Sequence, residues 1–367
     1  MELKKLELPY MIKLIIIIMV LAMPFSIFSQ DAPGEEKIGY RPPTAAGTFY
    51  PANPDSLREM IDTLLEPAIP PRLGYMDIIG LVAPHAGYIY SGKVSARAYK
   101  EIKDRKYDVA IIIAPSHFES FRGASVFNGD AYVTPLGNVM VDKDLAKQIA
   151  EYDKRILYSM HGHRWSGIQP EHSLEVQLPF LQVVQPNLKI VPIIMGSQDP
   201  VTEDLLMKAI YHALSESNKK YLIIASTDLS HYHDAETAES IDKPLVRTFM
   251  RYDYFAIQNL LAMHTFEACG GGPLVSAMMA AEQLGATAAA PVMYLHSGKT
   301  EAGKNHQDRV VGYFSGLIVK STPRDLTPRL SDNDKIRIMD VVRQTVADTV
   351  KGIADTTYFG MVPMGLA

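Results

Sequence analysis

One cysteine in 367 residues, Cys269, excludes any disulfide within the chain. There is no surplus of positive charge either: 36 Lys and Arg stand against 41 Asp and Glu, a formal net of −5. Neutralising a phosphate backbone needs the opposite balance, so nucleic acid is not an expected partner. The chain lacks a G-x-x-x-x-G-K-[ST] loop and a G-x-G-x-x-G turn after a strand, which disfavours nucleotide chemistry. It also lacks a G-x-S-x-G elbow, and Ser116 and His117 are sequence neighbours that rarely face each other, so a serine nucleophile is disfavoured. No apolar run reaches the roughly 20 residues of a membrane-spanning helix. Hydrophobic residues at 47% and charged residues at 21% are those of an ordinary globular protein. They exclude disorder, collagen-like repeats and a disulfide-stapled miniprotein. This length can bury a large core, as one big α/β domain or two smaller ones.

What is present begins with an address. Lys4, Lys5 and Lys13 precede an uncharged run from Leu14 to Phe28, followed by the small polar residues Ser29 and Gln30. A basic stretch, a short apolar stretch and a polar end match a secretory signal peptide over residues 1–30. The expected destination is periplasmic or secreted, and the alternative is an N-terminal membrane anchor. Any contact with a membrane is expected through this segment alone. Residues 31–43 are polar and carry Pro and Gly, and read as a linker.

From Met76 onward, apolar β-type runs alternate with amphipathic stretches. Strands are expected at 78–83, 109–114, 190–195, 221–225, 292–295 and 312–319. Helices are expected at 142–152, 172–184, 203–215 and 273–283. Runs such as Val109–Ala114 are apolar throughout, as strands buried on both faces are. The alternation predicts an α/β domain over 44–320, with a mostly parallel or mixed sheet sandwiched by helices. Pro323 and Pro328 then punctuate the chain, and residues 321–367 read as a helical appendage.

The strands end in chemistry. Ile78–Ala83 runs into Pro84-His85, Val109–Ala114 into Pro115-Ser116-His117, and Tyr221–Ala225 into Ser226-Thr227-Asp228-Leu229-Ser230-His231. Ligands of open α/β sheets bind beyond the carboxyl ends of the strands. Three strands each delivering a histidine there point to a metal or catalytic site. Asp228 and His231 read as ligands, as a substrate-side acid/base pair, or as groups that orient the ligands. Cys269 precedes three glycines and a helix, where the macrodipole favours thiolate, so it reads as a ligand or reactive thiol. In Glu171-His172-Ser173-Leu174-Glu175, His172 and Glu175 share a helix face and could overhang the crevice. The same acids could equally complement a helix dipole. His161-Gly162-His163 with Trp165 reads as a mobile loop, and His264, His296 and His306 as surface or structural residues.

Six segments, in order, resemble the Memo family, known in bacteria as the B component of the AmmeMemoRadiSam group. They are Ala46-Gly47-Thr48-Phe49-Tyr50-Pro51, Ala83-Pro84-His85-Ala86-Gly87-Tyr88 with Ser91-Gly92, Ala114-Pro115-Ser116-His117, Glu171-His172-Ser173-Leu174-Glu175, Ser226-Thr227-Asp228-Leu229-Ser230-His231 and Cys269-Gly270. The resemblance spans about 41–319. It implies a fold similar to class III extradiol ring-cleaving dioxygenases, with metal ligands His85, His117 and Cys269 and with Asp228 and His231 lining the same pocket. It further implies iron or copper and redox chemistry, with AmmeMemoRadiSam proteins as partners. Leu330–Lys351 resembles the opening helix of the partner domain often fused to or encoded beside this family.

The expected function is therefore a mononuclear metal protein of oxidoreductase character, in which Asp228 and His231 act on protons or on a small-molecule or peptide ligand. Thiolate favours copper, and the same set accepts zinc. A non-catalytic binding protein and a zinc-dependent hydrolase are the alternatives.

Overall fold

The structure, a computed structural model, describes residues 39–66, 76–167 and 169–321. The expected signal peptide, residues 31–38 of the linker and the appendage after Ser321 lie outside the described residues. Among the described residues no helix is long and apolar enough to cross a membrane.

The parallel strands form where the sequence is most uniformly apolar. β2 (Asp77–Ala83), β3 (Val109–Pro115), β8 (Lys189–Met195) and β9 (Tyr221–Ser226) are buried along nearly their whole length. They lie in the order β2-β9-β3-β8 and all pair in parallel. Three more strands extend one side: β12 (Val310–Lys320), antiparallel to β2, with β10 (His231–His233) and β11 (Ala288–His296) on it. β4 (Ala124–Phe127) and β7 (Ile156–Ser159) extend the other, giving a mixed sheet of nine strands. A second sheet of three strands joins β1 (Tyr40–Arg41), β5 (Ala131–Thr134) and β6 (Gly137–Met140).

Helices flank the large sheet. α2 (Tyr88–Ile102) packs on β2, β11 and β12, α6 (Ala235–Met250) on β11 and β12, and α8 (Gly271–Gln283) on β2, β3 and β9. α1 (Pro54–Leu65) packs on α2, and α3 (Lys143–Ala150) lies against β4 and β7. α5 (Pro200–Ser215) and α7 (Tyr254–Ala262) pack on α8. Side-chain caps start several of these helices, Asn53 for α1 and Asp199 for α5 among them, because the first N–H groups of a helix lack intrahelical acceptors. This is the mixed α/β arrangement the alternation predicts.

Three expectations need correction. The helix expected over 172–184 begins later, as a single tight turn Glu175–Gln177 followed by α4 (Leu178–Val184). Pro179 sits in the first turn of α4, where a missing N–H costs nothing. The linker expected over 31–43 is already part of the body by residue 40. Tyr40 and Arg41 pair with Ala131 and Tyr132, and Arg41 is fully buried. His163 is not in a mobile loop: it is buried, with Tyr132 Oη 2.5 Å from Nδ1 and Ser125 O 3.1 Å from Nε2.

Candidate metal centre

Register brings the site together. Ala83 of β2 lies beside Ser226 of β9, and Ile113 of β3 beside Ala225. The three strands therefore end level, and the residues just past them, His85, His117 and Asp228, share one edge. Cys269 arrives from the other direction, just before α8. Its N–H reaches Asp228 O at 3.2 Å, and Asp228 N–H reaches its Sγ at 3.2 Å. Gly270 makes this approach feasible: its N–H donates to Thr227 Oγ1 at 3.0 Å, and a Cβ there would collide with the Ser226 carbonyl oxygen.

His85, His117 and Cys269 each offer one donor atom, and these atoms lie within 4.8 Å of one another. Asp228, His231 and Cys269 form an overlapping group by the same measure, and so do His117, Glu171 and His172. The structure thus gathers all five residues expected at the pocket, and joins to them Glu171 and His172 from the segment expected to overhang the crevice.

Hydrogen bonds fix the tautomers. Ser226 Oγ donates to Ser173 O at 2.6 Å, so towards His85 Nδ1, 2.9 Å away, it must accept. Gln177 Nε2 donates to the same oxygen at 2.8 Å. His85 therefore carries its proton on Nδ1 and turns a bare Nε2 to Cys269 Sγ at 3.1 Å. His117 follows the same logic, with Nδ1 3.0 Å from Glu171 Oε1 and its backbone N–H on Oε2 at 2.6 Å. Two imidazoles held by Nδ1 with Nε2 free are oriented as metal ligands usually are. The Leu229 carbonyl does the same for His231, accepting from Nδ1 at 2.7 Å.

Burial dominates the protonation states. It holds the His85 imidazole well below its ordinary value, with His117 adding to the effect. Burial also pulls His117 down, but the hydrogen bond and charge of Glu171 outweigh it and leave His117 raised. Glu171, pushed up by burial, is held well below the carboxylate range by His117 and by backbone N–H groups. Burial raises Asp228 against the pull of His231 and the His85 N–H. His172 is lowered to about 3, by burial and then by His85. At Cys269, burial and then the Asp228 carboxyl push the thiol well up, against the pull of the helix N-terminus towards thiolate. The dipole of α8 does not offset the loss of water around sulfur.

Part of the machinery is marked in the sequence only as a segment, without individual roles. Glu171 lies in a segment singled out for its spacing, yet its role depends on a fold that sets it against His117. His172 stacks between Phe49 at 4.2 Å and His117 at 5.0 Å. Glu175 faces away from the crevice. It is buried against Arg41 at 2.5 Å and accepts from Tyr50 Oη at 2.6 Å and from the backbone of Thr44 and Ala45. Arg41 also donates to the carbonyl of Glu171, so this pair braces the loop that carries Glu171.

Two bare imidazole nitrogens and a thiol at the carboxyl ends of parallel strands define a candidate metal-binding α/β protein. The chain belongs to the Memo-like protein family, whose model matches residues 41–317. It is 35% identical over 283 residues to a MEMO1 family protein of Methanosarcina mazei, covering 76% of this chain and 98% of that one. A MEMO1 family protein of Methanococcoides burtonii is 36% identical over 281 residues, covering 76% and 100%. Among solved structures, an uncharacterized protein from Escherichia coli K12 aligns with a TM-score of 0.40 at 12% identity, over 65% of this chain and 99% of that one.

Proposed function

We propose that this Memo-like chain is a mononuclear metal protein with redox chemistry, holding iron or copper through His85 Nε2, His117 Nε2 and Cys269 Sγ. The observation that carries the reading is the set of three donors within 4.8 Å, two of them imidazole nitrogens kept bare by Nδ1 partners. A mixed nitrogen and sulfur set suits a borderline or soft ion. When bound, the ion would supply a redox-active Lewis acid with positions open to an oxidant or substrate.

The chain's own residues handle protons. Asp228, whose carboxyl burial pushes up, lies in the group with His231 and Cys269, where it would supply a proton. The Leu229 carbonyl fixes the His231 proton on Nδ1 and leaves Nε2 as an acceptor. One donor and one acceptor thus flank the ligand set. Phe49 and Phe118 stand beside His172 at 4.2 and 6.0 Å.

The test is metal content by mass spectrometry after refilling with iron, copper or zinc, with wild type beside Cys269→Ser. One equivalent of iron or copper, lost or greatly weakened in the variant, is the expected result. Retention of metal by the variant would remove Cys269 from the set. A colourless protein with stoichiometric zinc and esterase activity would replace redox chemistry with hydrolysis. We further propose export through residues 1–30, and mapping the mature N-terminus would test it: a chain still beginning at Met1 contradicts cleavage.

A further inference from the structure

β10 holds one residue more than the strand it pairs with. His231 lies opposite Val311 and His233 opposite Val310, leaving Tyr232 between them unmatched. Its φ of 65° puts an aromatic side chain in the left-handed region, which bulky residues enter only when their surroundings impose it. Bulges of this kind re-aim side chains beside functional sites. Here the bulge sends His231 into the group with Asp228 and Cys269, while His233 Nε2 holds Glu267 Oε2 at 2.9 Å, two residues before Cys269. Tyr232 itself is expelled to the rim and is 63% exposed.

Arg309 lies over that ring, its guanidinium carbon 4.6 Å from the centroid. It immediately precedes β12, whose first residues pair with β10. Among the described residues it makes no hydrogen bond and no ion pair, so its fork of donors is held in place but unspent. The stacked pair lies beside the candidate donors: the Tyr232 and His231 rings are 5.6 Å apart. Glu267 is already taken by His233, which leaves Asp308, exposed and next in sequence, as the neighbouring carboxylate. The chain as a whole carries a net −5 and offers anions no general attraction, so anion preference has to be local.

We propose that Arg309, braced on Tyr232, is the anion-recognising arm of the cleft, and that the site takes a small organic acid whose carboxylate or phosphate meets Arg309 while its other end reaches His231, Asp228 and Cys269. A guanidinium fork matches either group with two parallel hydrogen bonds. Stacking on Tyr232 removes side-chain freedom that binding would otherwise have to freeze. The inference rests on reading the cleft as a ligand site, and deepens it by naming the ligand's charge.

Benzoate and benzamide, similar in shape but different in charge, test it by calorimetric titration of the full chain, with and without refilled metal. Benzoate should bind roughly tenfold more tightly in low salt, with the gap shrinking as salt rises. Arg309→Gln should close the gap, Arg309→Lys should keep part of it, and Tyr232→Leu should narrow it. Inorganic phosphate that displaces benzoate at lower concentration assigns the arm to phosphate esters, and failure to displace it assigns carboxylates. An equal affinity of wild type for both probes, or an unchanged gap in Arg309→Gln, overturns the inference. Cys269→Ser separates the two readings: a gap that persists in protein unable to hold metal leaves the arm standing alone. Wild type that holds metal but does not discriminate charge sinks the arm alone.

Discussion

Glu171 grips His117 at two points, taking the ring Nδ1 on Oε1 at 3.0 Å and the backbone N–H on Oε2 at 2.6 Å. Glutamine cannot reproduce this, because one of its two ends donates. Glu171→Gln should weaken metal binding by about 10- to 100-fold, read by competition with a chromophoric chelator. Unchanged affinity would mean that His117 needs no orientation from Glu171.

Ser226 is the acceptor that two buried donors share, His85 Nδ1 and Gln177 Nε2. Ser226→Ala leaves His85 Nδ1 facing a methyl group, while Gln177 Nε2 keeps the Pro84 carbonyl at 3.0 Å. An orphaned buried donor costs about 1–3 kcal/mol, so urea unfolding should show a loss of that size. Metal affinity should fall alongside, since His85 is free to change tautomer.

Arg41 and Glu175 are both fully buried, and their contact is the deepest ion pair described. Arg41→Met strands a carboxylate in the interior and should destabilise the fold by about 3–5 kcal/mol. The double variant Arg41→Met with Glu175→Leu should recover part of that loss. If the double variant is as unstable as the sum of the two single changes, the energy lies elsewhere.

Stability should fall in mild acid through His163. Its folded value is lowered to about 3 by burial, partly opposed by the Ser125 carbonyl. The unfolded chain takes up a proton below about pH 6.5 while the native one does not, so acidification favours unfolding. The expected loss between pH 7 and pH 5 is about 2 kcal/mol from this residue. His163→Gln should flatten that part of the profile in denaturant titrations at the two pH values.

Gly270 tolerates no side chain, because a Cβ would meet the Ser226 carbonyl oxygen and the Thr227 side chain. Gly270→Ala should push the segment bearing Cys269 away from β9. Metal affinity should drop by more than stability does, seen by comparing chelator competition with thermal unfolding. A variant that binds like wild type would show that this close approach is not needed.

The sequence made the centre of the fold legible and its margins obscure, for physical reasons. Strands such as Val109–Pro115 bury both faces and so are written as unbroken apolar runs. The four-residue strands β4 to β7 are too short to show a period. β1 has only two residues and is held by Arg41, a residue type that normally signals surface. At the site, His85, His117, Asp228 and His231 were readable because strand ends lead into them, and Cys269 because it is the chain's lone thiol. Gln177, with Tyr99 Oη on its Oε1 at 2.9 Å, had no signal at all. Its role is defined only by distant segments meeting.

β2, β9 and β3 are paired on both edges and closed to water, so their amides belong to the last part of the molecule to exchange with deuterium. Two of the three donors hang from these strands within two residues of their ends. Emptying or filling the centre should therefore leave exchange in 109–115 and 221–226 untouched, and change protection in the segments that carry or brace the donors, around 84–87, 116–119, 169–173 and 263–270. The protein would then trade its cargo without its frame taking part.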